Sequence, residues 1–258
     1  ALGRLNLFTR IGQLAGAASA GIVVREVGLS VGLAVLAFVH LLGAMCYLLL
    51  PVGPRVGKVR ARLRENLCDF GREFRLNRTL VILVVITASV EVLGFSFVTA
   101  LPELAHERFS VGADGLGTLH SARALGGIFA ALIFATMLKI QARGDFYTVV
   151  IVAFGGAVGL LAMAPSFWFG FAALGVIAAL AVATDVLSQS MIQYSVPDHM
   201  RGRAMGAWVF AIGAAPLGHL ELGFLIDALG MSNALLVNGT LLACLGLVAM
   251  RTIGRVRP

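Results

Sequence analysis

The chain has 258 residues, of which 59% are hydrophobic and 13% charged, and its mean hydropathy is +0.93. Soluble domains carry roughly 45–50% apolar and about 25% charged residues, so these proportions exclude a soluble fold and point to an all-α polytopic membrane protein. The formal charge of +7 is no sign of nucleic-acid binding, because the basic residues sit in short connections between apolar runs rather than on an aromatic-studded soluble face.

At about 20 apolar residues per crossing, the sequence predicts eight transmembrane helices: 5–24, 29–50, 80–101, 115–138, 146–164, 167–193, 204–229 and 234–250. The first is long and glycine-rich and lacks a charged start with a cleavage site, so it is not read as a signal peptide. Its Arg10 is close enough to the end of the span to snorkel, whereas Gln13 is deeper and is expected to face a bundle interior. Gly12, Gly16 and Gly21 keep one side of this helix thin, either for ordinary helix packing or for a close approach with a functional purpose.

Residues 51–78 form the longest connection and hold Arg55, Lys58, Arg60, Arg62, Arg64, Arg72, Arg75 and Arg78. Val59, Leu63, Leu67, Phe70 and Phe74 recur every three or four residues, which predicts a basic amphipathic helix on the membrane surface or a plain solvated linker. Arg4, Lys139, Arg143, Arg201, Arg203, Arg251, Arg255 and Arg257 fall on the same side, against Arg25 and Arg108 on the other. By the positive-inside rule both termini are expected to be cytoplasmic. The linker divides the chain into residues 1–50 with two spans, 51–78, and 79–258 with six.

Ionisable groups at bilayer depth are expensive and are therefore candidates for a substrate or proton path. Glu91 and Arg123 are expected at depths of about 15 and 12 Å on an antiparallel hairpin, as a static pair or a gating one. His120 lies one turn before Arg123 and is either proton-sensitive or simply solvated. Asp185 and Gln189 share a helix face with Thr184 and Ser188, a stripe suited to a water-filled cavity or to helix–helix hydrogen bonds. His219 and Glu221 place two more polar groups about ten residues from the outer end of a span. Asp198, Arg201, Gly202 and Arg203 make a short charged loop, a conformational latch or a topological anchor. Cys46, Cys68 and Cys244 have neither the spacing of a disulfide framework nor that of a metal site. The sequence contains no H-E-x-x-H, no Gly-x-Ser-x-Gly, no paired-Asp phosphatidyl-transferase motif and no phosphate loop. No enzyme activity, cofactor or metal is expected.

Four stretches carry a family resemblance. GQLAGAASAG, Gly12 to Gly21, resembles the antiporter signature of the major facilitator superfamily on the fifth of twelve helices, with Ala17 and Ala20 where that signature has proline and glycine. LPELAHERFSVGADGLGTLHSARALGGIFAAL, from Leu101, is similar to the seventh-to-eighth helix hairpin of the branch containing the enterobactin exporter and the transmembrane secretion effectors. VPDHMRGRAMGAW and GAAPLG resemble that branch's tenth-to-eleventh loop and eleventh helix. The resemblance implies a major-facilitator-type bundle lacking its first four helices, with these eight spans as helices five to twelve. It further implies a bacterial inner-membrane exporter of small amphipathic molecules, with protons as coupling ion and the missing amino-terminal helices and the lipid bilayer as partners. A non-transporting eight-helix scaffold is the alternative.

Overall fold

The computed structural model describes residues 12, 16, 19, 23–24, 26–49, 71, 74, 77–136 and 144–253. All regular structure among them is helical, and seven helical stretches are long and apolar enough to cross a membrane: Leu29–Cys46, Arg78–Arg108, Ala113–Phe134, Gly144–Ala162, Phe167–Tyr194, Arg201–Leu229 and Met231–Ile253. They coincide with seven of the eight expected spans, and the chain is a multi-span membrane protein. The remaining span, 5–24, lies almost wholly outside the described residues, as does most of the basic connection. Of the latter's apolar stripe, Phe74 is helical and packs against the core.

The helices are α1 (Leu29–Leu48), α2 (Arg78–Leu93), α3 (Ala113–Thr136), α4 (Gly144–Ala162), α5 (Phe167–Tyr194), α6 (Arg201–Ile212), α7 (Ala215–Leu229) and α8 (Met231–Ile253). Helices α2 to α8 pack as one bundle, with the α4–α8 and α3–α5 seams the most extensive. By contrast, the described residues of α1 are all exposed except Gly32, which is half-buried. Large apolar side chains also cover the outside of the bundle, Phe210 being 83% exposed and Phe224 73%, as a lipid-facing surface requires. Trp168 and its edge-on neighbours Phe167 and Phe171 mark the end of α5 opposite the arginine-rich end, where interfacial aromatics settle.

Local chemistry explains the ends and the seams. Asn77 caps α2 by accepting from the Leu80 amide at 3.0 Å, and its own amide donates 2.7 Å to the Ser195 carbonyl at the end of α5. One side chain thus starts a helix and ties it to a segment far away in sequence. Asn77→Ala is expected to cost about 1–2 kcal/mol through loss of the cap alone, read as a lower thermal midpoint of the purified protein in detergent. Along the α4–α8 seam Gly155 and Gly239 bring the two backbones into contact, so that a Cβ on Gly239 would stand 2.7 Å from the Gly155 carbonyl oxygen.

Three expectations about these spans are corrected. The Leu101–Pro102 step does not end its helix: an α turn at Leu101–Glu103 leads into a π turn at Leu104–Arg108. Pro102 sits in the first turn of that segment, where its missing amide hydrogen is not needed. The span 204–229 is not one helix, because Gly213 and Ala214 interrupt it and Pro216 starts α7 afresh. Finally, α2 and α3 do not run together as a tight hairpin: α3 packs along α5, while α2 packs against α6, α7 and α8. Gly126 meets the backbone at Gly175, and that close approach draws α3 toward α5.

Candidate functional site

Two polar clusters lie within the spans. The first is nearer the end that bears Arg78 and Arg201. There Glu91 of α2 is 5% exposed, and its carboxylate is close enough to Asp185 of α5 for the two charges to act on each other. Tyr147, 0% exposed, enters from α4. Its hydroxyl lies beside Thr87 and Ser188 without reaching hydrogen-bond geometry with either. The Thr87 hydroxyl instead donates to the Leu83 carbonyl at 2.8 Å. Ser188 donates to the Asp185 carbonyl and accepts the Trp208 indole N–H of α6, both at 3.0 Å. Four helices therefore surround two carboxylates of like charge in a setting that disfavours even one. Gln189 is half-buried one turn further along α5, and Gln193 beyond it donates to the Met205 sulfur at 3.1 Å.

The second cluster is built where two broken spans meet. Past Gly94, α2 tightens into a 3₁₀ segment, Phe95–Ala100, that packs on α7. Gly218 of α7 touches the backbone at Val92, and only the missing side chain permits that approach. His219 Nδ1 is 3.0 Å from the Thr99 hydroxyl. Asn238 of α8, 1% exposed, donates to Ser96 Oγ at 3.1 Å and to Glu221 Oε2 at 2.9 Å.

Arg123 belongs to α3. Its guanidinium is 3.0 Å from His120 Nδ1 and 5.2 Å from the centre of the Phe97 ring. It therefore does reach the span that carries Glu91, at the level of the 3₁₀ segment. At the arginine-rich end Arg201 pairs with Asp198 at 2.9 Å and lies over the Tyr194 ring. Asp198 is 89% exposed, and an exposed pair of this kind contributes no more than about 1 kcal/mol. Gly202 faces open space, and Arg203 is half-buried. A Cβ added at Gly12 or Gly16 would meet nothing within 4 Å, while Gln13 and Gly21 lie outside the described residues.

Six residues of these clusters are absent from the expected site: Thr87, Tyr147 and Trp208 in the first, Ser96, Thr99 and Asn238 in the second. Asn238 was detectable, as an amide in the middle of the apolar run NALLVNGTLLACL. The hydroxyls were not, because Ser and Thr satisfy themselves on their own helix wherever they point.

No protein-family model and no solved structure matches the chain. Among curated proteins it is 24% identical over 241 residues to the staphyloferrin A transporter of Staphylococcus aureus, covering 88% of this chain and 60% of that protein. It is 26% identical over 136 residues to the multidrug efflux pump Tap of Mycolicibacterium fortuitum, which is 52% of this chain and 33% of the pump. The Mycobacterium tuberculosis pump of the same name is 29% identical over 137 residues, again a third of its length. The chain thus spans between one third and three fifths of the curated relatives it matches.

Proposed function

We propose that the chain is the part of a major-facilitator-type secondary exporter that carries helices five to twelve, of the branch containing the enterobactin exporter. In this reading it moves small amphipathic molecules outward by alternating access in exchange for protons, and is a transporter rather than an enzyme. The likeness to a transporter and to efflux pumps supports a membrane transporter. The observation that carries the finer reading is Glu91, a carboxylate 5% exposed within a span and electrostatically coupled to Asp185 on another helix. Buried acids of this kind are kept against a large solvation cost and mark ion or proton routes.

Alternating access needs two bundles rocking about a shared cavity. Helices α2 to α8 supply one, and α1 stands apart from it with its apolar surface uncovered. We therefore assign α1 to a second bundle, completed by helices preceding it in a longer polypeptide, with the basic connection and both termini on the cytoplasmic side.

The test is flux in proteoliposomes under an imposed proton gradient, with ethidium as a fluorescent cargo. The polypeptide purified from its own host membrane should transport, and the 258 residues alone should not. Equal flux from the 258-residue chain would remove the two-bundle reading, and gradient-independent flux would remove proton exchange.

A further inference from the structure

The crossing of the two broken spans contains more hydrogen-bond acceptors than donors. Asn238 uses its amide nitrogen on Ser96 and Glu221, and its carbonyl oxygen Oδ1 is buried with no partner. The opposite orientation of the amide would set that carbonyl against the Glu221 carboxylate, so the network fixes which atom is the orphan. Ser96 cannot supply the missing donor, since its hydroxyl proton is directed to the Leu93 carbonyl, 3.2 Å away. His219 cannot either, since its Nδ1 faces Thr99 on the outer side of the 3₁₀ segment. Glu221 itself has Asn238 as its hydrogen-bond partner and forms no ion pair among the described residues.

Depth makes this imbalance expensive. Glu221 is eight residues from the end of α7 and Asn238 seven from the start of α8, which places both about 10–12 Å inside their spans. An unmatched acceptor or an uncompensated carboxylate at such a depth is retained when something supplies the missing positive charge. Broken helices are where transporters gather such ligands, because irregular backbone survives at membrane depth only where it is buried in protein or lines a wet site.

We propose that Glu221 and the Asn238 carbonyl oxygen form a binding site for a compact cation, with the 3₁₀ segment as its wall. The cation is a sodium ion or the ammonium-type nitrogen of a cargo molecule. In the second case the inference rests on the transport reading above. The carboxylate supplies the charge, and the amide, held from behind by Ser96, supplies a fixed neutral oxygen. Glu221, half-buried, is the side through which the cation enters.

The experiment is thermal unfolding of the complete polypeptide in detergent, followed by circular dichroism. Sodium chloride is compared with tetramethylammonium chloride, whose nitrogen carries no N–H, at matched ionic strength, and methylammonium chloride is titrated separately. The expected result is a saturable rise in midpoint with sodium, with methylammonium, or with both in competition; the arms identify the source of the cation. Glu221→Gln should weaken the apparent affinity by about tenfold or more, as loss of one charge-assisted contact does. Asn238→Leu should weaken it likewise. Asn238→Asp loses the same two donated hydrogen bonds but adds a negative charge, so as a second probe it should lower the midpoint without cation, as leucine does, and yet tighten cation binding. No shift with either cation in the unaltered protein, or an unchanged shift in Glu221→Gln, overturns the proposal. A midpoint that follows pH but no cation also overturns it, since a proton on Glu221 would then be the missing donor. Flux without a cation shift would sink this site and leave the transport reading standing; a cation shift without flux would do the reverse.

Discussion

Glu91→Gln is expected to reduce proton-driven flux of the complete transporter by about tenfold or more, a coupling loss of at least roughly 1.4 kcal/mol. Expression and helix content should be unchanged. Glutamine keeps the shape of the side chain and its capacity to hydrogen-bond, so the buried position on α2 remains filled. What disappears is the ability to bind and release a proton. Thermal stability is expected to rise rather than fall, because glutamine fills the site without an ionisable group whose charge is penalised by burial first and by the nearby Asp185 second. That opposite movement of flux and stability separates a proton carrier from a structural acid. A structural acid would lower both when replaced. Asp185→Asn should follow the same pattern, and unchanged export by both variants under a proton gradient would take this cluster out of the proton path.

A large loss of stability is expected from Gly155→Ala. A methyl group at position 155 meets the Gly239 carbonyl oxygen and the Ala243 backbone, atoms that cannot rotate out of the way. Helices α4 and α8 must then separate along the most extensive seam of the bundle. Overpacking of this kind costs about 1–3 kcal/mol, and roughly 2–4 °C of midpoint is expected per kcal/mol at this chain length. The neighbouring Gly156 is the control. Nothing stands within 4 Å of a Cβ there, so Gly156→Ala should stay within about 0.5 kcal/mol of the parent. Asn238 precedes Gly239 in α8, so moving that helix also pulls Asn238 from Ser96 and Glu221. Gly155→Ala is therefore expected to lower cation affinity as well as stability. A midpoint equal to that of Gly156→Ala would show that the seam has slack the backbone contacts do not suggest.

The two clusters differ in how much of them could be read without a structure. Glu91, Asp185, His219 and Glu221 stood out because a charged or ionisable side chain inside an apolar run is a statement about cost, whatever surrounds it. Their partners did not. Asn238 and Ser96 are 142 positions apart and Asn77 and Ser195 are 118 apart, and nothing in either local stretch names the other. The hairpin expected from sequence adjacency also misplaced α3, because a short loop limits how far two helices can separate but not which neighbour each prefers. Arg123 reached the preceding span through Phe97 of its 3₁₀ segment.

By itself the sequence determined that this is a helical membrane protein, roughly where seven of its spans lie, and which of their acids are out of place. Those properties are sums over a short stretch of chain: twenty apolar residues are long enough to cross a bilayer wherever they occur. Only the tertiary structure decided that the span from Arg78 changes helix type after Gly94, that Gly213 and Ala214 divide another span, and that Glu221 meets Asn238 at that crossing. The physical reason is that apolar length carries no information about rotation around the helix axis. In lipid, rotation and crossing are set by where small residues let two backbones touch, and each such contact involves two glycines or a glycine and a backbone far apart in the chain.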